Sequence, residues 1–268
     1  MTLYHQVLNP ENSAPALTFI HGWAANSGTW MDFAERFCDP FQVHLIDLPG
    51  FGESPPLEME TKDGNLIAER WMEEILQVLP ETTHLVGWSL GGLLAQRLTA
   101  EHPRRVLSLM NVASTPKFVQ TEDWPYAVSP SLLKDFIHAV AIEYVPVLKQ
   151  FWRLQFQGSD EARKWMKALQ SQMQQRKMPS LTGLLQGLYI LKALDNRPLL
   201  PQIRQPTLWL FGEKDPLVPL ALTESVVQQQ PNAQIAVIDG AGHMPFFSHP
   251  EACEQAMRSF LLTSIEST

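Results

Sequence analysis

His84-Leu85-Val86-Gly87-Trp88-Ser89-Leu90-Gly91-Gly92-Leu93-Leu94-Ala95 reads as three joined parts: a short apolar, strand-like run, a turn with glycine on either side of a serine, and the opening of a helix. Gly-x-Ser-x-Gly is short enough to arise by chance, so its flanks carry the inference. A strand that passes straight into a helix must turn sharply, which strains the backbone at Ser89 and pushes its hydroxyl outward. Gly87 and Gly91 suit the turn because backbone passes close on both sides, where a Cβ would collide.

Other segments extend this pattern in both directions. Apolar, β-leaning runs lie at residues 16–20, 42–46, 84–86, 106–112, 207–211 and 235–238. Helical spacing of apolar residues covers 29–37, 66–79, 91–101, 220–229 and 250–262. Strands alternating with helices predict an α/β fold with a mostly parallel central sheet flanked by helices. Between about Ser114 and Asn196 the alternation gives way to a helix-like stretch rich in Trp, Phe, Leu, Met and Gln. It reads as an inserted helical cap, residues 114–196, on a core formed by 1–113 and 197–268. Its expected place is over the carboxyl ends of the strands, where open α/β sheets put their sites.

Bulk composition narrows the function classes. With 45% hydrophobic and 18% charged residues, the 268-residue chain is apolar enough to fold on its own core. A formal charge of −8 argues against nucleic acid as a partner. The charge is uneven: residues 115–195 hold 10 of the 20 Lys and Arg but only 7 of the 28 Asp and Glu. That basic middle either meets something anionic or is an ordinary solvated surface. Cys38 and Cys253 have no disulfide-framework or metal-site spacing. The first ten residues lack a signal-peptide pattern and no apolar run is long enough to span a bilayer, so a cytoplasmic protein is expected.

A serine hydroxyl attacks only when a base takes its proton, and on such sheets the partners follow in the order serine, acid, histidine, each in a loop after a strand. His243, in Ala241-Gly242-His243-Met244-Pro245, is the favoured base, with His249 as rival at the entry to the last helix. Asp215, in Glu213-Lys214-Asp215-Pro216-Leu217, is the favoured acid; Asp239 is closer to His243 in sequence but sits in a turn before Gly240. The oxyanion of an acyl-transfer intermediate needs two preorganised donors. The N–H groups of Leu90, after the nucleophile, and Trp23, in the Ile20-His21-Gly22-Trp23 turn, are the candidates. His21 reads as a brace of that turn or as a second base. Trp124, Phe151, Trp152, Phe156, Leu184, Leu188 and Tyr189 either line a cleft or pack the cap onto the core.

Together, His21-Gly22-Trp23, Asp47-Leu48-Pro49-Gly50-Phe51-Gly52-Glu53-Ser54, the Ser89 turn, Gly212 with Asp215-Pro216-Leu217-Val218-Pro219, and Gly242-His243-Met244-Pro245-Phe246 resemble the α/β-hydrolase superfamily over nearly the whole chain. Trp88, Trp23, Val112-Ala113-Ser114-Thr115-Pro116, Asp123-Trp124-Pro125 and Phe246-Phe247-Ser248-His249-Pro250 are most similar to the pimeloyl-[acyl-carrier protein] methyl ester esterases of biotin synthesis. The resemblance implies a serine carboxylesterase with the triad Ser89, Asp215 and His243, and with Trp23 and Leu90 at the oxyanion. It also implies an acyl pocket touched by Phe151-Trp152-Arg153-Leu154-Gln155, no metal or cofactor, and a monomer. The partner it implies is an acyl-carrier protein, met by cations at Arg163 and Lys167. Two further positions where that family carries arginine hold Pro146 and Gln150. A broad short-chain carboxylesterase or a carbon–carbon bond hydrolase of the same fold, and a non-catalytic ligand receptor, are the competing expectations.

Overall fold

Six of the apolar runs pair as parallel neighbours in one seven-stranded sheet. The computed structural model describes residues 2–159, 161–173 and 176–266. Its strands are β1 (His5–Val7), β2 (Ala16–Ile20), β3 (Gln42–Ile46), β4 (Thr83–Trp88), β5 (Val106–Val112), β6 (Thr207–Gly212) and β7 (Gln234–Ile238), in the spatial order β1-β3-β2-β4-β5-β6-β7. Every residue of β2, β4 and β6 is buried, as strands covered on both faces require, whereas edge strand β7 is half exposed. β1 was not foreseen: it is three residues long and pairs antiparallel with β3, His5 opposite Ile46.

From β2 the chain moves outward to β3 and then returns to β4 on the other side of β2. That reversal opens a crevice beyond the carboxyl ends of β2 and β4, the usual position of a ligand site in an open α/β sheet.

The helices are α1 (Met31–Ala34), α2 (Gly64–Val78), α3 (Leu90–Glu101), α4 (Pro130–Leu154), α5 (Ala162–Met173), α6 (Leu181–Ala193), α7 (Thr223–Gln229), α8 (Pro245–Ser248) and α9 (Pro250–Glu266). The helix expected over 29–37 is instead a 3₁₀ turn, the single turn α1, and another 3₁₀ turn. Tertiary bonds override the helical period at its start, where Asp47 accepts the Ser27 N–H at 2.6 Å and Asn26 the Gly28 N–H at 3.0 Å. The stretch over 220–229 likewise divides into a 3₁₀ turn and α7.

Helices α4, α5 and α6 lie between β5 and β6 in the chain. The two ends of this segment are clasped together: Asn196 N–H donates to Pro116 O at 2.8 Å, and Lys117 Nζ meets Asp195 Oδ2 at 3.1 Å. α4 breaks at Glu143 (φ −152°, ψ 86°), three residues before Pro146. A proline lacks the N–H for the helical bond and crowds the carbonyl four residues back, so the break falls where Pro146 forces it. One apolar core runs from the sheet into these helices, and two indoles pin them to the turn after β2. Trp23 Nε1 donates to Leu184 O at 2.9 Å and Trp152 Nε1 to Ala24 O at 3.0 Å.

Candidate active site

Ser89 sits between the end of β4 and the start of α3 with φ 55° and ψ −117°, outside the regions that L-residues favour. Such strain costs about 1–3 kcal/mol and survives only where neighbours over-determine it. Here the Ser89 N–H donates to Val112 O at 3.0 Å, and the Ser89 carbonyl accepts from Ser114 Oγ at 2.8 Å. A Cβ on Gly87 would run into Gly91 O and Gly92 Cα, and one on Gly91 into the carbonyls of Ile20 and His21. Gly91→Ala is therefore expected to push the turn after β2 off the serine. We expect a loss of about 2 kcal/mol in stability by thermal or urea unfolding, together with a fall in kcat.

His243 lies in the loop after β7. Its N–H donates to Gln155 O at 2.9 Å, and its carbonyl accepts Trp88 Nε1–H at 2.8 Å, so the end of α4 and β4 hold the loop from two sides. The ring's Nε2 stands 2.9 Å from Ser89 Oγ and its Nδ1 2.7 Å from Asp215 Oδ2. Asp215 follows β6, and its other oxygen accepts the N–H groups of Leu217 (2.8 Å) and Val218 (3.0 Å). A carboxylate held that way takes the proton-bearing Nδ1 and leaves Nε2 as acceptor for the serine hydroxyl. All three side chains are buried.

The structure separates the rivals for these positions. Asp239 is exposed on the surface. His249 is half-buried, with Nδ1 2.9 Å from Ser248 Oγ. His21 has both ring nitrogens engaged: Nδ1 lies 2.8 Å from Gly22 O in its own turn, and Nε2 accepts Leu48 N–H, from the loop after β3, at 2.9 Å. Burial lowers its pKa, so it is a neutral brace of the turn.

That turn stands against the serine, because Ile20 pairs with Gly87 and a Cβ on Gly22 would touch Ser89 Cβ at 3.1 Å. The N–H groups of Trp23 and Leu90 meet no protein acceptor among the described residues, although both residues are buried. Two unpaired buried donors beside a nucleophile can receive a developing oxyanion. Ala24, next in the chain, is at φ 60°, one of five non-glycine residues with positive φ among the described residues.

Above Ser89 opens an apolar cavity of about 200 Å³, walled by residues including Trp23, Phe136, Phe151, Leu154, Leu188 and Leu217. Of the five consecutive cap residues singled out in the sequence, Phe151 and Leu154 line it. Trp152 and Gln155 line a void of about 10 Å³ behind Trp23. Arg153 is exposed and lines neither. Trp124 and Phe156 pack instead: Trp124 Nε1 donates to Lys117 O at 3.0 Å, and Phe156 lies against Phe247. Arg163 and Lys167 are exposed four residues apart on α5, without an ion pair among the described residues; Lys164 between them pairs with Glu161 at 2.9 Å. A roomier surface cleft of about 370 Å³ includes Arg204, Thr207 and Gln230, at the amino end of β6 and away from the serine.

Gln155, Trp88 and Ser114 stand out in the sequence for the family resemblance, but their bonds to His243 and Ser89 do not. Each acts on a residue between 25 and 155 positions away, and nothing local marks such a partner.

Residues 15–250 match the alpha/beta hydrolase fold family, and the chain belongs to it. Curated relatives of the chain include pimeloyl-[acyl-carrier protein] methyl ester esterases. With that of Aeromonas hydrophila it is 36% identical over 92% of this chain and 95% of the relative. With that of Yersinia enterocolitica it is 34% identical over 91% and 92%. Among solved structures, an esterase from Exiguobacterium antarcticum superposes with a TM-score of 0.83 at 22% identity, covering 96% of this chain and 94% of that one. A bromoperoxidase from Bacillus anthracis gives 0.84 at 21%, covering 97% and 95%. These two structures speak for the fold alone, since one scaffold serves different chemistries.

Proposed function

We propose that the protein is a serine carboxylesterase that hydrolyses the methyl ester of pimeloyl-[acyl-carrier protein] to pimeloyl-[acyl-carrier protein] and methanol in biotin synthesis. The observation that carries the reading is the hydrogen-bonded chain Ser89, His243, Asp215 at the floor of an apolar cavity. Relatives of that name, similar over nine-tenths of the chain, supply the substrate.

Ser89 Oγ attacks the ester carbonyl while His243 Nε2 takes its proton, and the Trp23 and Leu90 N–H groups receive the oxyanion. His243 then returns the proton to the leaving methoxide, and methanol departs. Water, deprotonated by the same imidazole, opens the acyl-enzyme and releases the free ω-carboxylate. Asp215 keeps Nδ1 protonated and stabilises the imidazolium throughout. The reading treats residues 114–196 as the cap on a core of 1–113 and 197–268, needs no metal or cofactor, and has the enzyme act as a cytoplasmic monomer.

In this reading, Arg163 and Lys167 meet the acidic carrier. With Pro146 and Gln150 in place of two cations, these carry a larger share of the contact. Arg163→Glu with Lys167→Glu is expected to raise KM for the carrier-bound methyl ester about tenfold and to leave kcat/KM for a small free methyl ester unchanged. The test of the function itself is kcat/KM for carrier-bound pimeloyl methyl ester against free methyl esters. Purified protein that cleaves the free esters well and the carrier-bound one not at all would sink it.

A further inference from the structure

We propose that the acyl cavity selects its substrates by the charge at the far end of the chain. It takes an ester whose other terminus is neutral, as a thioester or second ester is, and rejects one that ends in a free carboxylate. This rests on the acyl-chain reading above.

None of the twelve residues lining the cavity is charged. Its two side-chain hydrogen-bonding groups are both engaged, the Ser89 hydroxyl with His243 and the Trp23 indole N–H with Leu184 O. The nearest lysines in sequence do not reach inside. Lys117, beside Phe118, is bound to Asp195 and Thr121. Lys134 and Lys192, next to Leu133 and Leu191, are exposed on α4 and α6, and neighbours on a helix point about 100° apart. A carboxylate entering such walls loses its water and gains no partner, which a neutral end group avoids.

The filter gives the reaction a direction. Hydrolysis of a diester leaves a monoester whose carboxylate, on rebinding with the remaining ester at Ser89, would face the uncharged far walls. A diester should therefore be cut once, with the monoester accumulating.

The test compares dimethyl and monomethyl heptanedioate, both free of any carrier. At pH 7.5 kcat/KM should favour the dimethyl ester at least tenfold beyond the factor of two for its two ester groups. Enzyme ionisation cancels in that ratio, so it should narrow several-fold at pH 5, as the monoester's carboxyl approaches its ordinary pKa of about 4.3. Leu132 lines the cavity yet is 61% exposed, which puts it at the mouth; Leu132→Arg should raise kcat/KM for the monomethyl ester at least fivefold. A ratio within twofold of parity at both pH values, a dimethyl ester that is not cleaved, or no gain in the arginine variant would each overturn the proposal. Cleavage of the dimethyl ester with the expected ratio, beside an inert carrier-bound ester, would remove the carrier reading and leave the filter standing.

Discussion

Ser89→Ala is expected to lower kcat on the carrier-bound methyl ester by about five to six orders of magnitude, with KM little changed. Among the described residues that line the cavity, Ser89 carries the one hydroxyl, and it lies 2.9 Å from His243 Nε2. Without it, His243 can at most activate water, while the oxyanion donors and the cavity still bind. The remaining rate should therefore exceed the uncatalysed one by about 10³–10⁴-fold. Stability should hardly move, because alanine keeps the Cβ and the backbone bonds to Val112 and Ser114 remain. A fluorophosphonate should label the wild-type protein and not the variant. The same pair of measurements separates an enzyme from a ligand receptor on this scaffold: retention of more than a hundredth of kcat, or labelling of the alanine variant, would remove Ser89 from the chemistry.

Much of this arrangement was legible in the sequence because it is built from local signals. Strands buried on both faces read as continuous apolar runs, and β2, β3 and β5 fall at the expected residues. Ser89, Asp215 and His243 each follow a strand, so the order of elements alone brings them to one edge of the sheet. Where the reading failed, the determinant was distant. β1 is too short to show an alternation and exists because β3 offers it an edge. The helix expected over 29–37 is reset by Asp47, across the turn from Ser27. Residues 151–155, at the end of α4, form a contiguous stretch in sequence, but on a helix they face different ways: Phe151 and Leu154 enter the cavity while Arg153 faces solvent. Sequence order likewise could not tell Asp215 from Asp239 as decisively as burial and a 2.7 Å contact do.

That choice of acid leads to the second large effect. Asp215→Asn is expected to cut kcat by about 10⁴-fold, whereas Asp239→Asn should match the wild type. The reason is the fixed orientation of the side chain. Oδ1 accepts two backbone N–H groups, from Leu217 and Val218, so an asparagine must place its carbonyl oxygen there. Its NH₂ then points at His243 Nδ1, which must become an acceptor. The proton moves to Nε2, and the imidazole can no longer take one from Ser89. The geometry of the site survives, so the loss should appear in kcat with little change in KM or in the unfolding midpoint. An Asp215→Asn enzyme with nearly full activity, beside an inactive Asp239→Asn, would transfer the acid's role to the exposed turn after β7.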